Sequence, residues 1–296
     1  MDMARRVSVI GAGKVGTAVA SVLLSHGYKV IKVCDLNGQN LERAARLTGA
    51  EATFDCIQAA KDAEIVMITT PDDSIEGVCL NVAESDLDVT GKIFIHMSGA
   101  VPISALDSAR ERGATTLCVH PLQTFADLEG AIGSLPGSTF AVTCSAEVEP
   151  WARGFVEDMD GSALLVKEGD KALYHAAAVV ACNLLTMVEY AAFEACLGLG
   201  FLEREATEAF MPLVRATIEN IGRIGPAESL TGPLARGDVG TLAANLAALE
   251  RFDPDISELY RSVSLYGLRL VVKRGELDED TIEKMRSLLT GSGLET

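Results

Sequence analysis

Residues 7–16 read Val7-Ser8-Val9-Ile10-Gly11-Ala12-Gly13-Lys14-Val15-Gly16. A short apolar run meets a G-x-G-x-x-G turn, and Thr17 to Leu24 continue in a helical pattern. Such a glycine loop also occurs as a plain tight turn, so its flanks decide its meaning. In a strand, turn and helix unit, Gly11 permits the sharp turn and Gly13 lets backbone approach a pyrophosphate. Gly16 lets helix and strand pack closely, and the free amides of the first helical turn then face the phosphates. Gly27 ends the helix, since an achiral residue takes the left-handed cap conformation at little cost. Lys29 to Cys34 forms the next strand and ends at Asp35.

Asp35 lies 24 residues after Gly11, near the spacing of about 20 at which an acid hydrogen-bonds an adenosine ribose. A carboxylate there favours the free diol of NAD(H) and repels the 2′-phosphate of NADP(H). No Arg immediately follows to offset it, although NADP(H) stays open. The alternative reading is an ordinary solvated acid at a strand end. Thr69-Thr70-Pro71-Asp72-Asp73 follows a further strand and belongs at the same sheet edge, where open α/β sheets bind ligands; Pro71 serves equally as a turn former. The expected cofactor set is Gly11, Ala12, Gly13, Lys14, Val15, Gly16, Asp35, Thr70 and Pro71.

Outward from this unit, short apolar runs alternate with helical patterns as far as Val166, the signature of a parallel α/β sheet. The runs are Arg6–Ile10, Lys29–Cys34, Ile65–Thr69, Ile93–Met97, Thr116–Val119, Thr139–Thr143 and Ala163–Val166. From Lys171 the pattern changes to long amphipathic segments: Lys171–Leu199, Glu203–Ile221, Val239–Arg251, Pro254–Lys273 and Asp280–Leu289. Asp253 before Pro254 is a good helix start. These patterns predict an α/β Rossmann domain with a mostly parallel, doubly wound sheet over 1–168. An all-α C-terminal domain for substrate binding and dimerisation follows over 169–296, with the break near Lys167 to Asp170.

Composition narrows the class. A chain of 296 residues suits two domains, and its 48% hydrophobic content with a mean hydropathy of +0.24 argues against disorder. A net charge of −17 and a pI near 4.6 exclude nucleic acid and anionic lipid surfaces as general partners. Seven cysteines without a CxxC spacing form neither a disulfide framework nor a zinc site, so reduced thiols in the cytoplasm and no metal are expected. Arg5-Arg6 before an apolar stretch resembles a signal peptide, but Gly11, Gly13, Lys14 and Gly16 interrupt it. Ala172 to Gly200 is long enough to span a bilayer, yet it carries His175, Asn183, Glu189 and Glu194. It reads instead as a buried or dimer-packing helix, giving a homodimer through the helical domain and no membrane partner.

Reduction of a carbonyl or imine needs a proton donor and, for an acid, a carboxylate clamp. Ile95-His96-Met97-Ser98-Gly99-Ala100 and Val119-His120-Pro121-Leu122-Gln123-Thr124-Phe125 both emerge on the cofactor edge. Ser98, His120 and Gln123 are suitable types, against the alternative that they shape turns; His96 reads as structural. Lys171 and His175 share one helical face, with Asn183 further along. They are candidate acid and orienting groups, or else a solvated first-turn lysine and satisfied core polar groups. In Ser229-Leu230-Thr231-Gly232-Pro233-Leu234-Ala235-Arg236-Gly237-Asp238, Thr231 and Arg236 are candidate substrate contacts, Arg236 as a bidentate clamp. Asp238 reads as the cap of the next helix. The catalytic candidates are His120, Lys171, His175 and Asn183; the substrate-binding candidates are Ser98, Gln123, Thr231 and Arg236.

Taken together, GAGKVG, HMSGA, HPLQTF, YHAAAVVACN and TGPLARGD resemble one family nearly end to end. It comprises Rossmann-like oxidoreductases with a C-terminal helical domain of unknown function, related to pyrroline-5-carboxylate reductase, ketopantoate reductase and the β-hydroxyacid dehydrogenases. The resemblance implies a dinucleotide domain and a helical dimerising domain, and it supplies no substrate. β-Hydroxyacid dehydrogenases place Asn four residues after a catalytic Lys, whereas Lys171 here is followed by His175. His120-Pro121 resembles the His-Pro of prephenate dehydrogenases. The expected activity is NAD(P)-dependent hydride transfer between a nicotinamide and a small carbonyl, hydroxy or imino acid, ketopantoate-like 2-oxo acids first. The alternatives are a non-catalytic dinucleotide sensor, and prephenate-dehydrogenase-like or imine reductase activity.

Overall fold

The structure, a computed structural model, describes residues 5–291. Eight strands form one sheet: β1 (Arg6–Ile10), β2 (Lys29–Cys34), β3 (Glu51–Thr53), β4 (Ile65–Ile68), β5 (Ile93–His96), β6 (Thr115–Pro121), β7 (Thr139–Thr143) and β8 (Ser162–Leu165). Their order is β3-β2-β1-β4-β5-β6-β7-β8. All pairings are parallel except β6 with β7. The chain turns back across the sheet between β1 and β4, the switch point where doubly wound sheets open a crevice.

Strand alternation explains why both faces are covered. Val7, Val9, Ile65, Met67 and Ile95 point into one core cluster, while Ile10, Val66, Ile68 and Phe94 point into another on the opposite face. Helices α1 (Lys14–Ser25), α2 (Gly38–Thr48), α3 (Cys56–Ala60), α4 (Ile75–Ala83), α5 (Asp107–Glu111), α6 (Leu128–Ser134) and α7 (Glu149–Glu157) supply the other sides. Asn37 caps α2 and Asp55 caps α3, each accepting two early amides.

Three expectations need adjustment. The short edge strand β3 was not foreseen, because Glu51-Ala52-Thr53 is mostly exposed and carries no apolar run. The strand expected to end at Val119 runs on to Pro121, so His120 is itself a strand residue paired with Ala141. Glu203–Ile224 also extends beyond the expected Ile221.

After β8 the chain is helical: α8 (Lys171–Val179), a single π turn (Val180–Leu184), α9 (Leu185–Gly198), α10 (Glu203–Ile224), α11 (Pro226–Ser229), α12 (Gly232–Arg236), α13 (Val239–Phe252), α14 (Pro254–Arg274) and α15 (Glu279–Thr290). By contacts the chain divides between Cys182 and Asn183. The first unit keeps α8 because Lys171 and Tyr174 are bonded to groups of β6 and of the loop after β5. The second unit has its own core of Leu234, Leu242, Leu246, Leu268, Val271, Met285 and Leu289. Asp238 and Asp253 cap α13 and α14 as read from the sequence. One helical run among the described residues, Glu168–Gly198, is long and apolar enough to cross a membrane by composition, with a mean hydropathy of 1.6.

Candidate functional site

The carboxyl ends of β1, β2 and β4 open onto a cavity of about 900 Å³. Its wall includes Gly11, Gly13, Lys14, Val15, Asp35, Thr70 and Pro71, seven of the nine residues expected to hold a dinucleotide. The remaining two sit behind it: Ala12 and Gly16 are buried. Gly11 has φ +102, and a Cβ there would lie 2.5 Å from the Thr69 carbonyl carbon and the Thr70 nitrogen. A Cβ on Gly16 would collide with Thr69 Oγ1 and the Gly11 carbonyl.

Gly13 differs from both, because nothing lies within 4 Å of the position its Cβ would take. It is the N-cap of α1, and no side chain caps that helix. The amides of the first turn are therefore left for an anion. Thr70 Oγ1, also on this wall, is buried with no hydrogen-bond partner among the described residues. An uncapped twelve-residue helix, an open glycine and an orphaned hydroxyl fit a dinucleotide pyrophosphate.

At the far end Asp35 accepts from the Asn37 amide at 2.7 Å, which orients its carboxylate at the end of β2. Leu36 and Phe54, 92% and 65% exposed, flank it. Two bare apolar side chains on a cavity wall suit a flat base, and sequence reading missed both. Lys14 lines the cavity, and its Nζ donates to the Ala126 carbonyl at 2.6 Å, tying the loop after β6 to the glycine turn.

A second group gathers where β5 and β6 end. His120 Nδ1 lies 2.9 Å from the Tyr174 hydroxyl on α8, and the ring of His175 stands edge-on to His120 at 6.2 Å between centroids. Gly99 makes room for them; its Cβ would lie 2.9 Å from both His120 Cε1 and His175 Nδ1. The Nδ1 of His175 is buried without a partner among the described residues. Below, Lys171 is buried, its Nζ donating to the Ser98 carbonyl at 3.3 Å and to Cys118 Sγ at 3.1 Å. The reading of Lys171 as a solvated first-turn residue is thereby set aside.

Burial governs the protonation of this group. It lowers His120 to about 4, assisted by repulsion from His175 and Lys171, and lowers His96 to about 3, again with Lys171 contributing. Burial pushes the Tyr174 phenol up to about 12 and raises the Cys118 thiol, with Lys171 partly opposing. At neutral pH the His120 and Tyr174 pair is thus an uncharged imidazole with an uncharged phenol. Whichever of the two donates within the pair, one N–H or O–H is left to give outward.

The other sequence candidates divide. Ser98 is at this group, but its Oγ accepts from the Ala100 and Val101 amides at 3.1 and 3.0 Å and shapes the loop. His96 is fully buried, as read. Gln123 is occupied by the Ser134 carbonyl and Ser138 Oγ at 3.3 and 3.1 Å. In the second unit, Asn183 is exposed. There too Thr231 and Arg236 line a cavity of about 470 Å³ with Arg274 and Glu276. Tyr174, Cys118 and Gly99 were not singled out from sequence. Tyr174 carried a usable signal, being one turn from Lys171 on α8.

Comparison with known proteins agrees with this architecture. Residues 2–121 match the Rossmann-like domain, and residues 138–266 match the domain of unknown function DUF2520. The chain is therefore a Rossmann-like protein that carries the DUF2520 domain, as the sequence resemblance implied. Three solved structures share the fold. A Thermotoga maritima protein is 21% identical, with a TM-score of 0.70 over 91% of this chain and 100% of that one. A Streptomyces aurantiacus imine reductase is 19% identical, with a TM-score of 0.65 over 95% and 99%. An Aspergillus terreus reductive aminase, in complex with NADPH and ethyl-5-oxohexanoate, is 17% identical, with a TM-score of 0.62 over 98% and 93%. No curated protein sequence matches the chain.

Proposed function

We propose that this chain is a nicotinamide-dinucleotide-dependent reductase or dehydrogenase acting on a small carbonyl, hydroxy or imino acid. The observation that carries the reading is the half-buried His120 and Tyr174 pair at the end of β6, on the sheet edge that also bears the open Gly13 turn. The dinucleotide, when bound, supplies or accepts the hydride. His120 and Tyr174 hand the proton to or from the substrate oxygen or nitrogen. His175, beside them with a buried Nδ1 that has no partner among the described residues, orients the substrate or relays that proton. Ser98 and Lys171 hold the loop after β5 in place.

NADH is the preferred cofactor in this reading, on the strength of the Asp35 carboxylate at the ribose end of the cavity. Thr231 and Arg236 are proposed to hold a substrate carboxylate on the strength of their side-chain types, with Gln123 and Asn183 as further polar contacts. The free cysteines suit a reducing compartment, the cytoplasm, and the helical domain forms a homodimer.

Oxidation of NADH and NADPH, followed at 340 nm with a panel of 2-oxo acids, β-hydroxy acids in the reverse direction, and cyclic imino acids, tests the activity. Turnover with at least one class, reduced about a hundredfold or more in His120→Ala and Tyr174→Phe, is expected. Dinucleotide binding with no turnover across the panel would favour the sensor reading instead. A sensor would also keep its biological effect in His120→Ala, Lys171→Ala and His175→Ala while losing it in Gly13→Asp.

A further inference from the structure

Beneath His120 the protein places a positive charge with no negative one bonded to it. Lys171 keeps only 4% of its surface, and its two bonds go to the Ser98 carbonyl and to the sulfur of Cys118. The Cys118 thiol donates to the same carbonyl at 3.2 Å. Removing an ammonium from water is costly, and proteins ordinarily answer it with a carboxylate. Here, among the described residues, no Asp or Glu is bonded to Lys171, His120 or Tyr174. Asp72 acts on His120 only at longer range, as do Asp72 and Glu168 on Cys118. His96 and His120 stay neutral at working pH, and the Tyr174 phenol keeps its proton. The group sets the positive charge of Lys171 beside a neutral proton donor, with no bonded carboxylate to offset it.

From this geometry we infer that the site takes a neutral or anionic carbonyl compound, a 2-oxo acid foremost, and disfavours a cationic iminium. The inference rests on the reductase reading above and narrows its substrate. In ketone reduction the carbonyl carbon gains a hydride from the reduced dinucleotide, which is oxidised. The π pair moves to oxygen, and the oxygen takes a proton from the His120 and Tyr174 pair, which is reprotonated from water. Negative charge develops on that oxygen as the hydride arrives, and the Lys171 ammonium beneath the pair favours it through its field rather than by contact. A carboxylate next to the carbonyl gains from the same potential. An iminium arrives with positive charge, meets Lys171 as a like charge, needs no proton on reduction, and finds no bonded carboxylate to receive it.

Binding and turnover separate the possibilities in the full chain saturated with NADH. Oxalate, a non-reducible dianion, and pyrrolidinium, a cation of iminium shape, are titrated while NADH fluorescence is followed. Pyruvate, 2-oxoisovalerate and 2-methyl-1-pyrroline are compared as substrates. The expected result is oxalate binding at least about tenfold tighter than pyrrolidinium and a kcat/KM for a 2-oxo acid at least about tenfold above that for the cyclic imine. Lys171→Met should erase the binding preference, and Lys171→Arg should retain it. The wild-type comparison stands on its own should Lys171→Met fail to fold. Tighter pyrrolidinium binding, or faster imine turnover, overturns the inference and leaves the reductase reading intact. An oxalate preference without turnover of any substrate overturns the reductase reading and leaves the charge selectivity standing.

Discussion

Asp35 and His96 show how single side chains set the chemistry of this protein. Asp35 is fixed by the Asn37 amide at 2.7 Å, which holds its carboxylate on the cavity wall, at the end proposed above for the ribose. Asp35→Ser removes that charge and leaves a hydroxyl able to cap the same turn. The ratio of NADPH to NADH affinity should rise about tenfold or more, the equivalent of ~1.4 kcal/mol; an unchanged ratio in paired fluorescence titrations would remove the role given to this residue. His96 makes a prediction about pH. Burial lowers it from 6.5 to about 3 in the folded chain, so the unfolded chain binds the extra proton first as pH falls. The contribution to stability is present above pH 6.5 and is lost as pH falls towards 3. At pH 4.5 roughly 2–3 kcal/mol of it should be gone. Urea unfolding at pH 7 and pH 4.5 should show a smaller drop for His96→Asn than for the wild type, because carboxylate effects are common to both; equal drops would contradict the assignment.

At the level of elements, the β1 turn into α1 separates stability from binding within three residues. Gly16 sits where a Cβ would strike the Gly11 carbonyl, a backbone atom that cannot rotate away. Gly16→Ala should cost about 3 kcal/mol and lower Tm. Gly13→Ala meets nothing within 4 Å, so Tm should stay near that of the wild type while NADH binding weakens at least about tenfold, its methyl occupying the approach to the pyrophosphate. A matched fall in Tm for both variants would show that Gly13 serves packing alone. This turn was legible in sequence because strand, glycines and helix stand next to one another in the chain. So were the helix starts at Asp238 and Asp253, where the cap and the residues it serves are neighbours. The edge strand β3 was not legible, since Glu51-Ala52-Thr53 pairs only with β2 and buries almost nothing. The pairing of His120 with Tyr174 spans 54 positions, and the contact of Lys171 with Cys118 spans 53. Sequence offered those residue types but not their juxtaposition, and it gave no sign that the Gln123 amide nitrogen bonds Ser134 and Ser138.

On the scale of the whole molecule, the helical run from Glu168 to Gly198 demands a covering. Only 6% of its most apolar 18-residue window is buried within one chain, and Leu173, Val180, Leu184 and Met187 stand 76%, 59%, 42% and 59% exposed at spacings of seven, four and three residues. Apolar exposure on that scale marks an interface with protein or lipid. Lipid is the poorer match. The first turns of the run are fastened at Lys171 and Tyr174 to the loop after β5 and to β6, and Glu189 and Glu194 follow within the apolar segment. A second copy offers the same stripe to itself, as a two-fold interface requires. Sedimentation equilibrium should therefore give twice the 31.3 kDa of one chain. Val180→Glu with Met187→Glu should shift the mass to that of one chain. NADH affinity should change by less than about threefold, because the cavity bearing Gly13 and Asp35 is lined entirely by residues before Cys182. A wild-type chain that sediments as a monomer, or that co-floats with phosphatidylcholine vesicles, would exclude the dimer.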